Sequence, residues 1–322
     1  MPFFTLRVVL AVAVASLFAV PALAQEWPTG PQRILVGSAA GGGADTVARL
    51  VSKMLSPALG VPVVVENKPG ATGTMAADAV AKTSDGHTLL LGTAGMQVIV
   101  PHLRKLPYDN KKDLVPIAML ASVPHVLVVS NKLDVKSVAE LIAMAKGQPK
   151  GLNYASSGSG SAQQIAAELF QDATGTSITH VPYKGSSQAM MDIISGQVQM
   201  NFDTLTSALP FIKRGQVRAL AIMAPERNSK IPEVPTMSEA GVKGVEMSAW
   251  YGIYAPSNTP KTAQERLHSE LSKVLLLADV KSLLDTLGVE PMPMTQAQFA
   301  AFHAGEDKRF GTLIKQRDLK PE

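Results

Sequence analysis

The chain has 322 residues, a formal net charge of +4 and no cysteine, so disulfides, thiol catalysis and cysteine metal sites are excluded. Aromatic side chains make up only 5% and the basic ones are dispersed rather than blocked, which argues against nucleic acid as a partner. Residues 1–24 read as a secretory address: Arg7 supplies the charge, residues 8–20 are apolar, and Ala22, Leu23 and Ala24 form a small-residue cleavage site before Gln25. No lipid-attachment cysteine follows, so the expected mature form is an unanchored periplasmic protein with chain enough for two ordinary domains or one large one. The longest later apolar run, residues 114–129, is interrupted by Pro116, Pro124 and His125, and a membrane span is not expected there.

In chain order, Ile34, Leu35 and Val36 predict a buried strand that runs into Gly41, Gly42, Gly43, Ala44 and Asp45 and then a helix through Val47, Leu50, Val51, Met54 and Leu55. A glycine loop before a helix start lets a ligand approach free main-chain N–H groups, a small anion site. The plainer reading is a tight turn with Asp45 or Thr46 as the N-cap. Gly60 and Pro62 end the helix, residues 63–66 predict a second buried strand, residues 75–82 a helix, and residues 88–91 a third strand ending at Gly92, Thr93, Ala94 and Gly95. This alternation predicts a mainly parallel sheet.

Residues 115–129 form two apolar runs broken at Pro124, where the chain is expected to cross to a second domain. Ser137 with Glu140 is a capping box. A second strand–loop–helix unit follows: residues 152–155, then Ser156, Ser157, Gly158, Ser159, Gly160 and Ser161, then a helix over 162–174. Further strands over 179–181, 199–202 and 219–223 end in small polar residues, among them Tyr183, Lys184, Gly185 and Asp203, and open α/β sheets bind ligands at such carboxyl ends. Residues 225–244 read as a surface connection, and residues 249–255 as a returning strand carrying Trp250 and Tyr251 near the crossing. Thr259 with Pro260 predicts a capped helix start, and Thr295 with Gln298 a second capping box.

The catalytic screen is nearly empty. No serine sits in a Gly-x-Ser-x-Gly elbow, no pair among the six histidines has metal-ligand spacing, and neither glycine loop matches a dinucleotide or P-loop pattern. No metal or cofactor is therefore expected. Lys184 beside Tyr183 is a conceivable base, although a loop lysine more often serves as a point charge for an anion. Asp203 fits a helix cap, a ligand-orienting group or a water holder. Met96 and Gln97, just beyond Gly95, could line a pocket, although a methionine at helical spacing is more often core, and Trp250 reads as core first and hinge second.

Taken together, residues 33–46, 62–73 (PVVVENKPGATG), 85–91, 106–109 (LPYD), 154–169, 180–185 (HVPYKG), 215–221 and 250–260 resemble the Bug family, the extracytoplasmic solute receptors of tripartite tricarboxylate transporters. The resemblance spans essentially the whole mature chain. It implies a two-domain α/β periplasmic binding protein of type II with its ligand cleft between the domains. Domain 1 would be residues 25–123 with 249–322, and domain 2 residues 124–248.

The resemblance further implies a small organic carboxylate held by Gly41, Gly42, Gly43, Ala44 and Asp45, by Thr93 and Ala94, by Ser157, Gly158, Ser159 and Ser161, and by Tyr183, Lys184 and Gly185. Membrane components of the transporter would be its partners and the receptor would be a monomer. The family usually has proline and an aromatic where this chain has Gly37 and Ser38, often histidine at Gln97 and Gln164, and often asparagine at Val100. Those positions are expected to face the variable end of the ligand. Two other readings share the cleft: a hydrolase or isomerase using Tyr183, Lys184 and Asp203, and a sensory receptor for a carboxylic acid.

Overall fold

The computed structural model describes residues 27–316 and 319, and the expected leader, residues 1–24, lies outside them. Two sheets share one strand, β4 (Leu114–Ser130), which pairs in both. The first sheet runs β2 (Val63–Asn67), β1 (Gln32–Val36), β3 (Thr88–Thr93), β9 (Ser248–Pro256) and the first part of β4, with the short β10 (Glu290–Pro291) on β4's other side. The second runs β6 (Thr179–Pro182), β5 (Asn153–Ser156), β7 (Met200–Thr204) and the end of β4, flanked by β8 (Val217–Ile222). Within β4 the partner changes between Pro124, opposite Ser248 of β9, and His125, opposite Thr204 of β7. A proline cannot donate to a ladder, so it is tolerated where one ladder gives way to another.

The sheets are mixed rather than mainly parallel. β1 pairs in parallel with β2 and β3, and β5 with β6 and β7, but every pairing made by β4 and β9 is antiparallel. Alternating strands and helices account for the parallel flanks, while the two long strands β4 and β9 run in opposite directions beside each other. β2, expected to be buried, is an edge strand whose Val64 is 53% exposed.

Residues 225–244 lie irregularly as expected, yet they are not merely a surface connection: Ile231, Val234, Met237 and Val242 are buried. Burying four such side chains removes enough apolar area to anchor the segment at about 1.5–3 kcal/mol apiece.

Helices cover both sheets: α1 (Gly43–Leu59), α2 (Thr74–Ala81), α3 (Val100–Leu103), α4 (Val138–Gly147), α5 (Ala162–Thr174), α6 (Ser186–Ser195), α7 (Leu205–Lys213), α8 (Lys261–Leu276), α9 (Ala278–Thr286) and α10 (Gln296–Gln316). The Thr295 box closes in both directions, whereas at Ser137 only the forward bond is made, the Glu140 carboxylate accepting from Lys136 N–H at 2.7 Å. Glu140 N–H donates to Ser137 Oγ at 3.2 Å, and in the other box Gln298 N–H donates to Thr295 Oγ1 at 3.2 Å while Thr295 N–H donates to Gln298 Oε1 at 2.9 Å. Thr259 is not a side-chain cap. Helix α8 starts at Lys261 behind Pro260, and what Thr259 contributes is its carbonyl, to Gln264. Trp250 is core, packed edge-on against Phe299 and Phe302 with its indole N–H donating to Glu306. Among the described residues no helix is long and apolar enough to cross a membrane.

Candidate ligand cleft

A cleft open to solvent lies between the two sheets. Its wall contains Gly42, Gly73, Ser161 and Thr204, the N-caps of α1, α2, α5 and α7, and Ser186, the first residue of α6. Five helix N-termini thus converge on one space, two of them from the loops singled out in the sequence. Each presents first-turn N–H groups with no intrahelical partner and a partial positive charge. No Asp, Glu, Lys or Arg is among the residues lining this cleft. The helix termini thus favour an anion there without any cationic side chain, which suits a desolvated anion held by neutral donors.

The first loop differs from its expected form. Helix α1 begins at Gly43, so neither Asp45 nor Thr46 is the N-cap. Of the three glycines only Gly41 has a positive φ, 82°. Gly43 is required for a different reason, since a Cβ there would lie 2.9 Å from both Thr204 Oγ1 and Tyr251 Oη. Its N–H donates to Ser207 Oγ of the opposite lobe at 2.8 Å.

Asp45, although buried, does not face the cleft. Burial works to raise its carboxyl, but bonds from Arg49, the Gly41 N–H and Asn67 outweigh it and hold the group below the usual range.

The second loop is held by side chains. Ser161 caps α5 by accepting from Gln164 N–H at 3.3 Å, which leaves its own proton free. Ser157 N–H donates to Gln163 Oε1, and Gln163 Nε2 donates to Ser186 Oγ and to Asp203 Oδ1. Asp203 is fully buried beneath this layer, and burial pushes its carboxyl up to about 6 against bonds from Ser186, Thr204 N–H and Gln163.

Of the residues expected at the ligand, Ser38, Gly42, Gly43, Ala44, Thr93, Ala94, Ser157 and Ser161 line the cleft. Gly158, Ser159, Tyr183 and Lys184 do not; they form an adjoining side pocket with Arg104, which meets the cleft at Gly37, Thr72 and Ser157. Tyr183 is further committed by donating its hydroxyl to Asp192 at 2.6 Å, and burial with that neighbour pushes its phenol up to about 12.

Gly41, Asp45, Gly185 and Asp203 line neither space. Gly185 instead packs against Ala39, where a Cβ would meet Ala39 Cβ at 3.2 Å. Gln97, Gln164 and Val100 also face away. Gln97 falls in a π-helical turn (Gly95–Ile99) and its carbonyl accepts from Asn110; Gln164 accepts from Gly160 N–H; Val100 packs beneath Gly160. The wider turn of a π-helix moves residues off the face that a regular helix would present.

Sequence reading passed over Thr72, Gly73, Gln163, Ser186, Ser207, Tyr251 and His125, all of which line the cleft. The signal available for Ser186 and Ser207 was their place near the start of a helix after a strand. His125 carried none, being one polar residue inside an apolar strand.

The lobes touch along the cleft. Thr72 Oγ1 donates to the Ser159 carbonyl, Arg104 Nη2 to the same oxygen at 3.2 Å, Ser187 Oγ to the Ala40 carbonyl at 3.1 Å and Ala39 N–H to the Lys184 carbonyl at 3.4 Å. With Gly43 and Ser207, these bonds describe a closed arrangement.

Residues 47–319 match the family model described as the tripartite tricarboxylate transporter family receptor. The chain belongs to that family. Among solved relatives, the periplasmic binding protein BugD superposes with a TM-score of 0.87 at 31% identity, covering 91% of this chain and 99% of its own. An adipate-bound protein of R. palustris gives 0.89 at 33% identity, covering 92% of this chain and 100% of its own. MatC from Rhodopseudomonas palustris with bound malate gives 0.85 at 33% identity, covering 89% and 100%. The two-domain α/β periplasmic-binding-protein fold is thus that of the receptor family. Among the described residues no group of His, Asp and Glu is placed to hold a metal ion.

Proposed function

We propose that this chain is a periplasmic receptor that captures a small organic carboxylate in the cleft and delivers it to the membrane components of a tripartite tricarboxylate transporter. The observation that carries the reading is the convergence of five helix N-termini on a cleft lined by no charged side chain. Ala44 and the hydroxyls of Ser157 and Ser161 are the donors we assign to the acid, one from the first lobe and two from the second. The lobes themselves are taken as residues 25–123 with 249–322, and residues 124–248. Family membership supports delivery to a transporter, and the acids bound by the adipate and malate relatives support the ligand class.

A hydrolase or isomerase would need a positioned acid, base or nucleophile pair at the ligand. Tyr183 is tied to Asp192, Lys184 lines the side pocket, and Asp203 lies under Gln163, so this arrangement favours a receptor.

The test is a thermal-shift screen of mono-, di- and tricarboxylates and aromatic acids. A true ligand at 100 times its Kd adds about 2.7 kcal/mol, and it should be recovered unchanged after long incubation. Absence of stabilisation by every acid, or conversion of the one that binds, would overturn the proposal.

A further inference from the structure

At the floor of the cleft, where β4 passes from one sheet to the other, lies His125, 0% exposed. Its Nδ1 is 3.2 Å from the Met247 carbonyl oxygen. A carbonyl only accepts, so Nδ1 carries the proton of the ring. Burial holds the imidazole down to about 4, so at neutral pH the ring is uncharged and Nε2 is a bare lone pair.

That nitrogen is buried and has no hydrogen-bond partner. The hydroxyls of the same wall are engaged with one another. Thr204 Oγ1 donates to Ser207 Oγ at 3.0 Å, and the Tyr251 hydroxyl is bonded to Thr204. Flipping the tautomer would set the Nδ1 lone pair against the Met247 oxygen. A buried acceptor left unmatched is costly, which makes it a demand on whatever fills the cleft.

We infer that the ligand carries, besides its carboxylate, a hydrogen-bond donor, a hydroxyl or an N–H, and that His125 Nε2 accepts it. The inference rests on the carboxylate reading above and narrows it to hydroxy- or amino-substituted acids. A plain alkyl or aryl acid would leave the acceptor unmatched. An acid presenting a second ionised carboxylate there would face it with lone pairs and no proton. His125 is thus a specificity residue, distinct from the donors that hold the carboxylate.

The experiment is calorimetric titration of the protein with matched acids: butyrate against 2-, 3- and 4-hydroxybutyrate, glutarate against 5-hydroxypentanoate, and benzoate and 4-methoxybenzoate against 4-hydroxybenzoate. In at least one series the hydroxy acid should bind tenfold or more tightly than its partners. His125→Leu should abolish that preference by weakening the hydroxy acid and leaving the plain acid unchanged or tighter. The variant is expected to fold, because the Met247 carbonyl keeps its bond from the His125 main-chain N–H at 2.9 Å. The wild-type comparison stands even where it does not. Equal binding within every series, with the acids still bound, would overturn this inference and leave the receptor reading intact. A preference surviving in His125→Leu would also overturn it. Failure of all acids of both kinds would remove the receptor reading and this inference together.

Discussion

The loop after β1 and the loop after β5 look alike in sequence, each a glycine-rich turn between a strand and a helix, yet they are built for different work. In the first, the main chain is already engaged: Gly41 N–H goes to Asp45, and Gly43 N–H crosses to Ser207 in the other lobe. In the second, hydroxyl and amide side chains hold the turn, with Ser161 capping its helix and Gln163 tied to Asp203 below. The first loop reaches the other lobe by a main-chain donor, Gly43 N–H, whereas the second reaches it by an acceptor, the Ser159 carbonyl, and is itself held by side chains. Glycine content alone does not separate these uses; what separates them is which neighbours sit within hydrogen-bond reach.

The largest effect should come from forcing the joint in the first loop. Gly43→Val would drive a branched side chain into Thr204, Tyr251 and Ser207, whose oxygens lie 2.9, 2.9 and 3.1 Å from the Cβ position. Acid binding should be lost and the radius of gyration in the presence of the best acid from the screen should exceed the wild-type value. Gly42→Ala meets nothing nearer than the Ala39 carbonyl at 3.7 Å and should close normally. Small-angle scattering on both variants breaks the comparison if they behave alike.

The support beneath the second loop can be tested through pH. The Asp203 carboxyl is raised from 3.8 to about 6, so its native proton contributes stability fully below the unfolded value, and that contribution is lost as pH rises through 6. At 1.36 kcal/mol per unit the change is roughly 3 kcal/mol. Asp203→Asn lacks it, so wild type should lose up to that amount relative to the variant between pH 3.5 and 7.5. Urea denaturation at the two pH values measures this, and a shift of opposite sign would mean the carboxylate is held charged.

The smallest effect is the cap. Ser161→Ala should lower stability without ligand by about 0.5–2 kcal/mol, read from the denaturation midpoint. The first loop has no such handle, because its N-cap is Gly42. An unchanged midpoint would show that the Ser161 hydroxyl contributes little to holding the turn.

Much of the fold was legible. Helix α5 follows its apolar spacing from Ala162 to Thr174 and stops at Gly175, in the left-handed region at φ 63°, as its composition demands. Half of the expected site residues also line the cleft, because strand ends followed by small polar residues announce themselves. What the sequence could not show is contact across the cleft. Gly43 and Ser207 are 164 positions apart, and nothing local to either names the other. Gln97 is buried, as its core reading has it, and does not face the cleft as the resemblance implied, since it falls in a π-helical turn that leaves no mark in hydrophobic spacing. The close approach of Gly37 to Gly73, where a Cβ on Gly37 would lie 2.4 Å from the Gly73 Cα, gives a packing reason for glycine at that position.

The two crossings between the lobes are neighbours, Pro124 facing Ser248 across one ladder, with His125 N–H tied to the Met247 carbonyl at 2.9 Å just beyond. A single connecting strand would act as a tether, free to twist and slide as well as bend. Two strands zipped side by side act as a strap hinge, stiff against torsion and shear and compliant in one direction. Closing such a hinge freezes a single coordinate rather than several, so little rotational entropy is forfeited when the lobes meet. More of each donor's interaction with the acid can then appear as affinity.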